Sequence, residues 1–380
     1  MADERTYDVV VFGATGYTGR LVAEYLRDRG HGARWAIGGR DRGKLDAVHA
    51  ELGLGDDVGI VVADTGDQAS LDAMAADTNV VCTTVGPYVW YGSGLVAACA
   101  AHGTDYVDLA GETPWMRDMI AAHDETAAAS GARIVFAGGF DSVPSDLGVF
   151  LLQETARERF GRPMPRVRMR VRQMQGTASG GTMASMGAIM EAAGSDPSVL
   201  EALIDPFSLA GDFQGPDQPT GQEQIEEPDF GGWSGPFVMA AINTKVVHRS
   251  NHLSGGRYGE DLVYDEMLLL GPDPAAGAGD FAIDPGLQPG DGPIEEEREA
   301  GHYDLVFRGE DGDGNVVETV VGDDLDPGYG STSKIIGELA LCLLDTTGPG
   351  GCLTPAVALG ATLVERLQDH AGLRIEVAPA

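Results

Sequence analysis

The chain has 380 residues, 43% of them hydrophobic, with 55 glycines and a formal net charge of −34. That composition describes a globular α/β protein of one large or two ordinary domains and excludes a disordered chain. The negative charge excludes nucleic acid as a partner, whose phosphates would be repelled, and no stretch approaches the roughly 20 apolar residues of a membrane span. Residues 201–330 hold 28 acids and 5 bases, and Lys occurs three times against 22 Arg. Such a balance is expected of a hydrated acidic surface adapted to salt. Calcium binding is not indicated, since GEDGDGNVVE lacks the ligand spacing of a calcium loop. The start, MADERTYD, carries no apolar signal core, which points to the cytoplasm. The four cysteines, Cys82, Cys99, Cys342 and Cys352, stand far apart and read as reduced core residues.

The first 137 residues alternate strand-like and helical stretches. YDVVVFG leads to a helix from about Gly16, RWAIGG to one from Asp41, and VGIVVAD to one near Gln68. NVVCTTVGP leads to a helix from about Ser93 and TDYVDLAG to one after Pro114, before ARIVFAGG closes the series. This alternation predicts a doubly wound parallel sheet of the Rossmann type.

Within GATGYTG, Gly13, Gly16 and Gly19 follow a strand and open a helix. The first permits the tight turn, the second lets backbone approach a diphosphate, and the third lets helix pack on strand. Thr15, Tyr17 and Thr18 complete this loop. The second strand ends in Gly-Gly-Arg, so Arg40 and Arg42 stand where a 2′-phosphate would be held, which predicts NADP(H) over NAD. Asp41 fits better as the N-cap of the next helix. Asp64 occupies the position for adenine, and Gly86-Pro87 the position beside the nicotinamide ribose.

After a helix near Ser145–Arg159 the periodicity changes. RVRMRVRQMQG sets Val167, Met169 and Val171 on one face and Arg166, Arg168, Arg170 and Arg172 on the other. This reads as a half-exposed strand of an antiparallel sheet, whose Arg face is either solvated or a dock for an acyl-carrier or CoA phosphate. PFVMAAINTKVVHRS reads as a strand, and HYDLVFRGEDGDGNVVETVVGDD as a hairpin turning at Asp313-Gly314. Residues 271–294, rich in Gly, Pro and Asp, read as a surface loop. His248 and His252 lack a third ligand nearby and read as solvated. STSKIIGELALCLLDT and TPAVALGATLVERLQDH return to helix. The expected organisation is a dinucleotide-binding domain of residues 1–160 plus about 331–380, with an α+β substrate and dimerisation domain over 161–330.

GATGYTG, GGR, VGPY, YVDLAGE and GFDSVPSDLG together resemble the saccharopine dehydrogenase-like family and its trans-acting enoyl reductase branch. SGGTMAS, PFVMAAINT, DPGYGSTSK and GGCLTPA continue the likeness over nearly the whole chain. The resemblance implies an NADPH-dependent oxidoreductase that reduces a carbon–carbon double bond of a small-molecule or carrier-bound acyl substrate of lipid or polyketide type. It also implies a homo-oligomer and lipid association at a membrane periphery. It places Thr182, Asn243 and Lys245, with Glu112, on the substrate side. The alternatives are a C=N or C=O reductase acting on an amino-acid-like substrate, and a non-catalytic NADP-binding regulator.

Enoyl reduction needs a hydride source, a donor to the developing enolate oxygen and an acid for the α-carbon. Catalytic candidates at the carboxyl ends of the strands are Tyr88, Asp141 and Ser142. Tyr88 could instead pack under the cofactor, Glu112 pair internally, and Asp141 or Asp146 cap a helix. Lys334 is a further catalytic candidate, because it stands in the first turn of a helix, where the macrodipole disfavours a cation unless an anion is bound nearby.

Overall fold

The computed structural model describes residues 5–29, 32–178, 180–274, 280–283 and 292–379, with backbone alone for residues 178, 180–183, 186 and 280–283. The strands in chain order are β1 (Tyr7–Phe12), β2 (Trp35–Gly39), β3 (Gly59–Val62), β4 (Thr78–Thr83), β5 (Asp105–Val107), β6 (Arg133–Val135) and β7 (Arg166–Ala178). They continue with β8 (Ile225–Glu227), β9 (Gly232–Pro236), β10 (Val263–Gly271), β11 (Asp280–Ile283), β12 (His302–Glu310), β13 (Val316–Asp323), β14 (Gly351–Leu353) and β15 (Arg374–Val377). The helices are α1 (Tyr17–Arg29), α2 (Arg42–Glu51), α3 (Gln68–Ala76), α4 (Tyr88–Tyr91), α5 (Ser93–His102), α6 (Thr113–Ser130) and α7 (Val143–Phe160). After them come α8 (Gly180–Ser195), α9 (Pro197–Ile204), α10 (Ala240–Leu253), α11 (Glu295–Ala300), α12 (Thr332–Asp345), α13 (Pro355–Ala358) and α14 (Gly360–Ala371).

The first sheet is parallel throughout, in the order β14-β6-β5-β4-β1-β2-β3. Its central strand β1 is apolar on both sides, as a strand covered on both faces must be. Val9 and Val11 face the core that includes residues of α1, α12 and α14, while Val10 and Phe12 face that of α3 and α5. The second sheet runs β15-β13-β12-β7-β10-β9-β8, with β11 also on β7. It is mixed rather than antiparallel, because β7 pairs antiparallel with β12 but parallel with β10 and β11. Helix α7 packs on β12 and β13, and its Gly148 makes this approach possible: a Cβ there would sit 2.4 Å from the Phe307 ring. The C-terminal segment serves both sheets, β14 pairing with β6 and β15 with β13.

Three sequence expectations change. Residues 240–253 form helix α10, not a strand. Lys245 to Asn251 are buried without interruption, so the segment shows no polar stripe and its β-branched residues mimic a strand. The Arg face of β7 is paired with acids rather than a free dock, and only Arg172 stays exposed. Arg170 is fully buried against Glu227 (2.5 Å) and Asp265 (2.8 Å). Arg166 pairs with Asp265, Arg168 with Glu227, Asp229 and Glu310, and Arg172 with Asp304. Burial works against the charge of Glu227, but hydrogen bonds from Arg170, Ser234 and Arg168 outweigh it and hold the carboxyl down at about 2. Part of the acidity after residue 201 therefore neutralises arginines that precede it. Within 271–294, β11 is a strand on β7, and residues 275–279 and 284–291 lie outside the described residues. The hairpin forms as read, with Gly314 at φ +84° in its turn. All four cysteines are buried as free thiols.

Candidate cofactor and substrate cleft

A cleft of about 570 Å³ opens at the carboxyl ends of β1, β4 and β5. Its floor is the glycine loop. Gly13 has φ +98°, and a Cβ there would lie 2.8 Å from both Thr84 Oγ1 and Val85 Cγ2. A Cβ on Gly19 would lie 2.3 Å from the Gly13 carbonyl oxygen, so only glycine lets α1 sit this close to the turn. Thr15, Gly16, Tyr17 and Thr18 line the cleft where α1 begins and its free amides offer donors to a diphosphate. Beside them the buried Thr84 Oγ1 has no partner among the described residues, as a cradle for a bound group would leave it. Dinucleotide fits this loop.

Arg40 lines the cleft at the end of β2 and is exposed. Arg42 does not line it. It pairs with Asp46 one turn along α2 at 2.9 Å on the exposed surface. Asp41 caps α2, accepting from the Lys44 amide at 3.0 Å. Gly86 lies on the wall, whereas Pro87 leads into α4 off it. Asp64 turns onto its own loop, accepting from the Gly66 amide at 2.9 Å, and the wall there is Ala63 and Thr65.

The polar candidates of the substrate half divide sharply. Asp141 lies on the wall, and burial, assisted by the charge of Glu112, lifts its carboxyl to about 7. Tyr88 contributes its side to the wall, but its hydroxyl donates to the Thr83 carbonyl (3.2 Å) and accepts from the Leu109 amide (3.0 Å). Both bonds fix it as a strut rather than a proton donor. Glu112 is buried behind the wall and accepts from the Tyr88 amide, the Gly111 amide and Ser185 Oγ, at 2.9–3.1 Å. Ser142 Oγ donates to Asn243 Oδ1 at 3.0 Å, Asn243 Nδ2 to Glu266 Oε2 at 2.8 Å, and Tyr264 to Glu266 Oε1 at 2.6 Å. Ser142 and Asn243 are thus links in a buried chain joining α7, α10 and β10, and neither lines the cleft. Burial is what pushes Glu266 up to about 7.

Lys334 also leaves the site. It donates to Asp323 Oδ1 and to the Ala371 carbonyl, so its anion is structural. Lys245 stands behind the wall, where burial lowers its ammonium to about 8. Thr182 lies in α8, its side chain outside the described residues. His248 is buried rather than solvated, its ring on Phe207, and burial holds it down at about 4.

Sequence reading missed the apolar wall. Ile189, Leu203, Val238, Met239 and Ile242 converge from α8, α9 and the start of α10 onto the half of the cleft beyond Tyr88. Nothing in their spacing marks them. Tyr329 and Thr332, by contrast, lay within DPGYGSTSK five and two residues before Lys334, and they reach the cleft where the lysine does not.

Residues 9–135 match the saccharopine dehydrogenase NADP-binding domain, which makes NADP(H) the cofactor class of this cleft. A Mycobacterium tuberculosis protein provisionally named a trans-acting enoyl reductase is 40% identical over 403 aligned positions, covering 96% of each chain. The trans-acting enoyl reductase of Mycobacterium ulcerans is 36% identical over 402 positions, again covering 96% of both. Apo saccharopine dehydrogenase (L-Glu forming) from Saccharomyces cerevisiae shares the fold, with a TM-score of 0.52 at 13% identity over 98% of this chain and 99% of that one. The chain belongs to the saccharopine dehydrogenase-like family, in its trans-acting enoyl reductase branch.

Proposed function

We propose that the protein is an NADPH-dependent enoyl reductase that saturates a C=C bond of an apolar, lipid- or polyketide-type acyl substrate. The carrying observation is the charge content of the cleft. Among its described lining residues the one cation is Arg40, at the cofactor end, and the one acid is Asp141. An amino-acid substrate with several carboxylates would need several cations opposite it, so a saccharopine-type reaction is not favoured.

The bound nicotinamide would supply a hydride to the β-carbon. The chain's own part is to bind and orient. Thr15, Gly16, Tyr17, Thr18 and Arg40 would hold the phosphates, and Gly86 would border the nicotinamide ribose. The apolar wall takes the acyl chain and excludes water from it. Asp141, kept partly protonated at neutral pH by its burial, delivers a proton to the α-carbon. A carrier-bound acyl group belongs to the same reading: Tyr91 lines the cleft while 43% exposed, and Trp90 beside it in α4 is 58% exposed. A substrate panel tests the proposal. NADPH oxidation should accompany saturation of a trans-2-enoyl thioester and should not occur with glutamate and an aldehyde. The reverse preference would overturn it.

A further inference from the structure

The wall opposite Tyr88 is poorly held by apolar packing. Helix α9 buries only Ala202 and leaves Leu200 and Ile204 48% and 71% exposed, so the hydrophobic effect fixes it weakly. What fastens it comes from α10. Lys245, 3% exposed, donates from Nζ to the Leu203 carbonyl at 3.0 Å and to the Ala241 carbonyl at 2.9 Å. Three residues on, the His248 ring packs on Phe207 with centroids 4.6 Å apart. Arg249 then donates to the Leu209 carbonyl at 2.6 Å, and His252 stands 6.1 Å from Phe213. Positions 245, 248, 249 and 252 share one helical face, and residues 203–213 run along it.

Only the first of these contacts reaches the cleft, because Leu203 and Ala241 both line it. Both of these hydrogen bonds go to backbone carbonyls rather than to a carboxylate. Burying an ammonium on two carbonyls is costly, and the charge of Asp205 just past α9 offsets that cost only in part. What the ammonium does is clamp two wall residues together, next to the last turn of α9, where a cation also meets the negative end of the helix.

We propose that Lys245 is a positioning residue for the substrate: by holding the carbonyls of Leu203 and Ala241 together it sets the shape of the apolar end of the cleft and hence its affinity for an acyl chain. The substrate clause rests on the acyl reading above. The probes are cis-parinaric acid for the apolar end, NADPH for the cofactor end, and amide exchange at residues 201–204 for α9. Lys245→Met should weaken parinarate binding about tenfold, near 1.4 kcal/mol, and speed exchange in α9 at least tenfold, with NADPH affinity unchanged. Lys245→Arg should restore both. Unaltered α9 exchange in Lys245→Met, or NADPH affinity lost in step with parinarate, would overturn the proposal. Wild-type protein that binds no parinarate would overturn the acyl reading instead, and exchange would still decide whether Lys245 holds α9.

Discussion

Lys334 donates from Nζ to Asp323 Oδ1 at 3.0 Å, joining the first turn of α12 to the end of β13. The dipole cost of a cation at a helix start is offset by this carboxylate, whose side chain is 4% exposed. Lys334→Met would leave that carboxylate buried without its partner, so we expect a loss of about 1–3 kcal/mol in stability. Turnover and NADPH affinity of the folded variant should match wild type. A fall in saturated turnover with an unchanged melting temperature would return Lys334 to the site.

Arg40 and Arg42 stand two residues apart in sequence, yet only Arg40 lines the cleft. Arg40→Ala should weaken NADPH binding about tenfold, the scale of one charge-assisted contact, and leave NADH binding nearly unchanged. Arg42→Ala should alter neither, since Arg42 is engaged with Asp46 on the surface. Fluorescence titration of both variants with both cofactors decides this, and equal effects of the two substitutions would contradict it.

The glycine loop and Arg40 were legible in the sequence because backbone geometry dictated them, whereas Arg42, Asp64 and Pro87 do not line the cleft. Gly13 and Gly19 are required by contacts under 3 Å, and Arg40 is fixed by its place at a strand end. The substrate half was not, for two physical reasons. Its wall is ordinary Leu, Ile, Val and Met, indistinguishable by type from core. Its polar neighbours Ser142, Asn243 and Glu112 look like site residues by chemistry but meet buried partners instead of the cleft, a distinction that depends on packing. Helix α10 escaped recognition because it is wrapped by protein, so the periodicity that betrays a surface helix is missing.

Four carboxyls, the buried Asp108, Asp146 and Glu266 and the half-buried Asp141, are each raised to about 7, with desolvation the largest cause. A carboxyl that binds its proton more tightly when folded favours the fold at low pH, and that advantage disappears as pH rises from about 4 to 7. His248, lowered from 6.5 to about 4 by burial, works the other way below 6.5, as one group against four. Melting temperature should therefore be higher at pH 5.5 than at pH 7.5 in buffers of equal ionic strength. A flat or rising profile between those values would contradict the burial of these groups.

The net charge of −34 carries a salt prediction. The pairs on β7 are largely buried and screened little, but repulsion among the remaining exposed acids weakens as salt shortens the Debye length from about 10 Å at 0.1 M to about 3 Å at 1 M. Melting temperature should climb with KCl over that range. A falling curve would mean that surface attraction, not repulsion, dominates.

The most direct test of the central claim is steady-state reduction of a trans-2-dodecenoyl N-acetylcysteamine thioester by NADPH, followed across pH in wild type and Asp141→Asn. With Asp141 as the proton donor, the acid form is lost above about 7, so kcat/KM should be level below that pH and fall about tenfold per unit above it. Asp141→Asn should slow saturated turnover on the order of 100-fold or more, with NADPH affinity retained. Wild-type protein that leaves the thioester unreduced, or an Asp141→Asn variant with full turnover and the same pH profile, would contradict the account.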